Sequence, residues 1–364
     1  MIKKKLTKIG ITTLALSMAL LTGCGKDKDK KEVTTNSDAV LNMEASDSMN
    51  NPSNIDFVPT KEGYVLSELT GEWIDEKLEN QRPMCIMINN IIDAMPQSGI
   101  SQADITYEMI VEGGITRYMC VFKDYDNIEK LGPVRSSRLY YVQASHIHGD
   151  LYAHYGWNTF AEEKINQLEV NNINGIDGVG GVTYYRDDSR YAPHNVYTNG
   201  EMLNAGVEYM GYSKEYKDNF KKSLAFYYED TELEGGVTAN KATAPFSSYY
   251  SPWFEYNPET KLYERFQYGE AQIDQETGEQ LAYKNVLAIY ARYSPIHDIL
   301  LQVHWDEGGN GYYISNGKAV PITWRYEEGV IKYYDQSGAQ LKMNPGKTFI
   351  EVLDSDGSSD MVFE

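Results

Sequence analysis

Positive charge is scarce in this chain. Lys and Arg number 33 against 53 Asp and Glu over 364 residues, for a formal net charge of −20. The four lysines of the first 23 residues face no acid there, so without them the remainder carries −24. Such a field repels duplex nucleic acid and anionic bilayer surfaces, which excludes nucleic acid as a partner. Cysteine is equally sparse: there are three, none in a Cys-x-x-Cys pair, which removes zinc-ribbon and thioredoxin-like chemistry. Also lacking are a Gly-x-Ser-x-Gly elbow, a His-Glu-x-x-His pair and a dinucleotide-spaced glycine run; Gly175, Gly178, Gly180 and Gly181 miss that spacing. Gly346-Lys347-Thr348 lacks the leading glycine of a phosphate loop, since Leu341 stands there. No cofactor and no metal site is expected, and no catalytic set emerges from spacing alone.

An address is present instead. Lys3, Lys4, Lys5 and Lys8 precede an apolar stretch from Ile9 to Leu21 that is short for a membrane span, the pattern of an export signal. It ends in Leu21-Thr22-Gly23-Cys24, which looks like a bacterial lipobox, so Cys24 reads as the diacylglycerol attachment point. The polar stretch after it buries too little apolar surface to offset ordering entropy. It reads as a flexible tether holding the folded part on the order of 30 Å from the membrane. The expected organisation is a signal peptide over 1–23, a tether over 24–62, a mixed α/β domain over 63–243 and a smaller antiparallel β-rich domain over 244–364, an α+β chain overall. The expected location is the extracytoplasmic face of the cell membrane.

Hydrophobic residues make up 41% of the chain, enough for real cores. Pro83 to Asn89 is a compact apolar run ending in asparagine, a buried strand. Ile105 to Val111 and Ile115 to Phe122, split by Glu112-Gly113-Gly114, predict a hairpin, with one helical turn from Ser101 leading into it. Helices are expected over 135–147, over 159–168 with Thr159 as N-cap, and over 199–210 with Gly211 closing it. Beyond Thr243, turn signals such as Asn316-Gly317 and Gln336-Ser337-Gly338 separate short strands. Cys85 and Cys120 could pair if their strands are adjacent; buried thiols acting as small hydrophobes are the simpler reading.

The candidate chemistry is basic. Arg117 near the hairpin, Arg135 and Arg138 at an expected helix start, and Arg186 with Arg190 and His194 in a polar loop form local concentrations of cation suited to phosphate or carboxylate, with Ser136 and Asn195 as further candidate ligand contacts. Glu112 and His154 complete the candidate anion site as proton carriers in an enzymatic variant. The bland alternative is that each arginine pairs with a neighbouring acid such as Glu112, Asp187 or Asp188. Glu108 and Glu112, four apart on an extended segment, read as a solvent-side pattern.

These same residues lie in motifs that resemble the YerB-like lipoproteins of Gram-positive bacteria, a domain-of-unknown-function family. They are Arg82-Pro83 running into Met87-Ile88-Asn89-Asn90, Pro96-Gln97-Ser98-Gly99, Val111 to Arg117, Gly132-Pro133-Val134-Arg135-Ser136, Pro193-His194-Asn195, and Asn344-Pro345-Gly346-Lys347-Thr348. The resemblance implies a membrane-anchored extracytoplasmic protein of two domains and carries no reaction with it. The reading is a non-enzymatic binding or assembly lipoprotein for an anionic cell-envelope ligand or a protein partner. Its alternatives are an enzyme on a phosphorylated envelope polymer, by fold-level analogy with LytR-type transferases, and a structural adaptor. Replacing Cys24 with Ala is expected to move the protein from the membrane pellet to the soluble fraction; a variant that still pellets would remove the anchor.

Overall fold

The computed structural model describes residues 59–149 and 151–364, so the signal, Cys24 and most of the tether lie outside the described residues. Residues Phe57–Glu364 form one compact unit. Its first half contains strands β1 (Met84–Asn90), β2 (Ile105–Ile110) and β3 (Thr116–Phe122), helix α1 (Leu139–Ile147), strand β4 (Leu151–His154), helix α2 (Thr159–Leu168), strand β5 (Asn171–Asn174) and helix α3 (Gly200–Met210). Next come β6 (Lys241–Thr243), β7 (Trp253–Asn257) and β8 (Leu262–Gln267), then β9 (Asn285–Ala291), β10 (Gly309–Ser315), β11 (Lys318–Glu327) and β12 (Thr348–Asp354).

An eleven-stranded sheet runs in the order β11, β10, β9, β12, β2, β3, β1, β4, β5, extended at β11 by Val237–Thr238 and Val330–Tyr334. Pairing is parallel at β9/β12, β12/β2, β1/β4 and β4/β5 and antiparallel at the other junctions named. The fold is α+β. Part of the C-terminal half, β6, β7 and β8, forms an antiparallel sheet of its own, while β12 joins β2 in parallel, so residues from both halves share the eleven-stranded sheet. The reason lies in composition. β12 and β2 are buried along nearly their whole length and covered on both faces, as central parallel strands are, with Glu108 and Glu351 the charged exceptions on an otherwise largely apolar pair.

Each face of the sheet has its own cover. Cys85, Met87, Met119 and Val121 meet α1 and α2 through Tyr140, Tyr141, Val142 and Ile165. Ile86, Ile88, Tyr118 and Cys120 face α3 residues Leu203 and Val207 and the second sheet, built on β6, β7 and β8. Cys85 and Cys120 therefore sit on opposite faces and form no disulfide. Burial pushes the Cys120 thiol up to about 12, which leaves it inert at neutral pH.

Local signals account for most element ends. Asn316 and Gly317 both take positive φ in the two-residue turn between β10 and β11. Asn199 caps α3 through Met202 N–H, and Gly211 closes it in the left-handed region. Two expectations shift. Asn158 rather than Thr159 caps α2, accepting from Ala161 N–H. Helix α1 starts at Leu139 because Arg135 to Arg138 stay extended: Arg135 N–H donates to Met87 O, Tyr155 N–H to Arg135 O, and Ser137 N–H to Gly156 O. That segment is thus stitched across the ends of β1 and β4.

The two sheets are locked by ions. Glu108 on β2 and Glu351 on β12 are register partners, wholly buried, and both face Arg265 of β8. Arg265 donates from Nη2 to Glu108 and from Nη1 to Glu351 at 3.1 Å, while its Nε reaches Gln272 at 3.0 Å and Tyr118 at 3.2 Å. Its plane lies 4.3 Å from the Phe349 ring centre and 4.8 Å from that of Phe254. Asn90, Thr116 and Tyr250 also surround Glu108 Oε1. Glu108 is therefore no solvent-side residue, and Glu112 lies outside the strand. Glu351 has one oxygen without a partner, and burial raises its carboxyl above the glutamate range despite Arg265.

Two consequences are measurable. Arg265→Met leaves both carboxylates buried without their cation and is expected to cost about 3–5 kcal/mol in urea denaturation. Because the native state holds the Glu351 proton more tightly than the unfolded chain, its stabilising contribution is full at acidic pH and declines as pH rises from the ordinary glutamate range through the raised native value. Glu351→Gln is expected to flatten that decline; an unchanged pH profile would place the proton elsewhere.

Candidate functional site

The C-terminal ends of β1, β2 and β4 lie at one edge of the sheet, where open α/β sheets present their ligand crevices. Three loops leave from there. Glu112–Gly114 joins β2 to β3, Arg135 to Arg138 bridges β1 and β4, and Gly156 follows β4. A fourth segment, Pro193 to Asn195, folds over from beyond β5: Val134 N–H donates to Val196 O.

Arginines meet on these loops. Arg117 is the cross-strand neighbour of Asn89, is 5% exposed, and donates to Ser136 O at 2.5 Å. Burial, then the charges of Arg138 and Arg135, lowers its guanidinium to about 10. Arg138 forks onto Glu112, Nε to Oε1 at 2.5 Å and Nη2 to Oε2 at 2.7 Å, and also donates to Ser137 O. Arg135 is half-buried; its Nη1 reaches Pro193 O at 3.4 Å, and its buried Nε meets no acceptor. Burial, then the charge of Arg138, lowers it too. Ser136 turns its hydroxyl to Tyr155 O and offers its carbonyl to Arg117. Gly156 holds φ +89°, and a Cβ there would stand 3.2 Å from the Ser136 hydroxyl.

His194 borders this basic cluster beside Arg135. The Asn89 amide donates to its Nδ1 at 2.6 Å, so the ring proton sits on Nε2. Burial, then Arg135, depresses its basicity, with Asp93 opposing. The ring is neutral at pH 7 and adds a donor without a charge. Asn89 was not among the sequence-derived candidates. Its signal was the polar pair Asn89-Asn90 ending a run that is otherwise apolar: Asn89 enters the basin, and Asn90 enters the Glu108 network on the other face.

The side chains of the remaining candidates are committed to other partners. His154 is fully buried, with Nδ1 2.8 Å from Gly156 O and Nε2 2.5 Å from Asn172 Oδ1, and burial depresses it to about 4. Sealed in this way, it reaches no solvent-borne proton. Arg190 spends its donors on Ala94 O, Met95 O, Pro96 O and Gln275 Oε1. Asn195 accepts from Arg186 at 2.7 Å. Both tie loops down. Among the described residues no group of three His, Cys, Asp or Glu side chains could hold a metal ion.

Among the described residues one acid therefore serves Arg117, Arg135 and Arg138, and it serves Arg138. The pairing of each arginine with its own surface acid holds at that one position. Arg138→Ala strands a half-buried Glu112 and is expected to cost about 1–3 kcal/mol. Arg135→Ala removes only one long hydrogen bond and is expected to change stability by less than about 0.5 kcal/mol in the same urea titration.

Comparison with known proteins places these residues in a family. Residues 69–213 match the N-terminal domain, and residues 242–350 the C-terminal domain, of the family described as "Protein of unknown function (DUF3048)". The chain is 29% identical over 309 residues to "Putative lipoprotein YerB" of Bacillus subtilis (strain 168), covering 84% of this chain and 91% of that protein. The crystal structure of YerB protein from Bacillus subtilis has a TM-score of 0.73 and 27% identity, covering 82% of this chain and 99% of that one. With both domains matched in order, and the arginine basin lying within the first, the chain belongs to the DUF3048 family.

Proposed function

We propose that the protein is a lipid-anchored, extracytoplasmic binding protein whose arginine basin takes an anionic cell-envelope ligand. The observation that carries this reading is the imbalance of charge at the strand ends: three guanidiniums share one carboxylate, and Arg135 keeps an unpartnered Nε. The chain as a whole carries a net charge of −20 and repels anions, so a local excess of cation is what an anionic ligand needs in order to bind. The anchoring half rests on the lipobox-like segment ending at Cys24 and agrees with the name the Bacillus relative carries. Among the described residues no helix is long and apolar enough to cross a membrane. A tether gives the basin reach into the wall without fixing its orientation.

The test is a thermal-shift titration of the full chain in detergent with inorganic phosphate, glycerol 3-phosphate and short glycerol-phosphate oligomers. At about 100 times the dissociation constant, a ligand specific for the native state adds about 2.7 kcal/mol of apparent stability. The shift is expected in the wild type and absent in Arg135→Ala. No shift with any anion would end the anion-binding reading and favour a protein-docking role.

A further inference from the structure

Glu112 stands where a ligand anion would stand. Its two oxygens fill the Arg138 fork at 2.5 and 2.7 Å, and each side chain is 13% exposed. Burial alone would push the Glu112 carboxyl up; hydrogen bonds and charge from Arg138 more than offset this, and it lies below its usual range. Arg138, for its part, does not depend on Glu112 for its position, because Nη1 is also held by Ser137 O at 2.7 Å.

The loop that carries Glu112 is lightly held. It is a single turn whose Gly113 and Gly114 sit at φ +77° and +69°, and an added Cβ at Gly113 would meet nothing within 4 Å. Val111 N–H to Ile115 O closes its base at 2.8 Å. Across the turn, Tyr249, 65% exposed, donates to Gly113 O at 2.5 Å. Apart from that contact, the Glu112 carboxylate ties the turn to the arginines through Arg138.

We propose that Glu112 is a built-in competitor for the anion site, displaced from the Arg138 fork by the ligand, and that it thereby selects a phosphate-type dianion over a carboxylate. This rests on the anion-binding reading above. A monocarboxylate would hand Arg138 the same two oxygens it already holds and gain only what Arg135 adds. A tetrahedral phosphate presents three oxygens and up to two charges, so beyond filling the Arg138 fork it offers a further oxygen and a further charge to Arg135, which lies within electrostatic range of Arg138 and whose guanidinium meets no acid. Arg117, already bonded to Ser136 O, adds field rather than contact. His194 Nε2–H supplies a neutral donor at the rim. With Glu112 in place the three arginines carry a net +2 there; with it gone they carry +3, a gain in attraction that only the ligand-bound form uses.

The experiment is isothermal titration of the full chain at constant ionic strength with inorganic phosphate, glycerol 3-phosphate and acetate, comparing wild type, Glu112→Gln, Glu112→Asp and Arg135→Ala. Glu112→Gln is expected to tighten phosphate about tenfold, the effect of removing one charge-assisted competitor. Glu112→Asp, one methylene too short for the fork, should tighten it in the same direction and guards against a folding defect in the first variant. Arg135→Ala should weaken phosphate in every background. Phosphate bound by wild type, weakened by Arg135→Ala and indifferent to both Glu112 variants would overturn the competitor role and leave the anion site standing. Acetate binding as tightly as phosphate in the wild type would overturn the selectivity. Phosphate heat absent from wild type and both Glu112 variants would overturn the anion site itself, and the competitor with it.

Discussion

The contact between Arg265 and the carboxylates of Glu108 and Glu351 is the constraint on which the rest of the molecule depends. Two acids brought side by side on parallel strands in a dry layer cannot both stay charged without a cation, and the cation comes from the other sheet. Their pairing therefore fixes three things together: the register of β12 on β2, the seat of the second sheet, and the union of residues far apart in the chain. Breaking it exposes no new hydrogen-bonding surface to water; it strands charge in a closed interior, which is why it acts as a lock.

The same strands that carry the lock on one face carry the candidate site at their ends. Glu108 and Glu112 are four residues apart and have opposite fates. Glu108 is enclosed by Asn90, Thr116, Tyr250 and Arg265, and its charge is consumed in holding the sheets together. Glu112 sits past the end of β2 on a glycine-rich turn, pairs with one guanidinium of three, and leaves the local charge positive. An interior in which the buried carboxylates meet a cation supports an edge where cations outnumber carboxylates. The rigidity of the first allows the second, because like-charged guanidiniums stay near one another only when their backbones are held. Arg135 to Arg138 are held in this way, laced to β1 and to the residues after β4 by backbone hydrogen bonds.

Where a signal was local, it was legible. The hairpin about Glu112-Gly113-Gly114, the helices ending at Leu168 and Gly211, and the turn at Asn316-Gly317 follow from dihedral and capping preferences acting within a few residues. The apolar run at Met84 to Ile88 announced burial on both sides. The start of α1 was not legible, because the hydrogen bonds that Arg135 donates to Met87 O and accepts from Tyr155 N–H outcompete the helical tendency of Arg135 to Arg138. His154 was misplaced for the same kind of reason: a histidine at a strand end looks available until Asn172 and the Gly156 carbonyl are found to enclose it.

By itself the sequence determined the excess of acid, the strand and turn menu, and the family to which the motifs belong, since each of these is written in neighbouring residues. Only the tertiary structure decided which charges meet. Arg138 found Glu112, Arg265 found Glu108 and Glu351, Arg190 was spent on backbone carbonyls, and Arg135 was left with donors to spare. Charge pairing acts through space over a few ångströms, and the sheet that brings those residues within range is assembled from strands hundreds of residues apart.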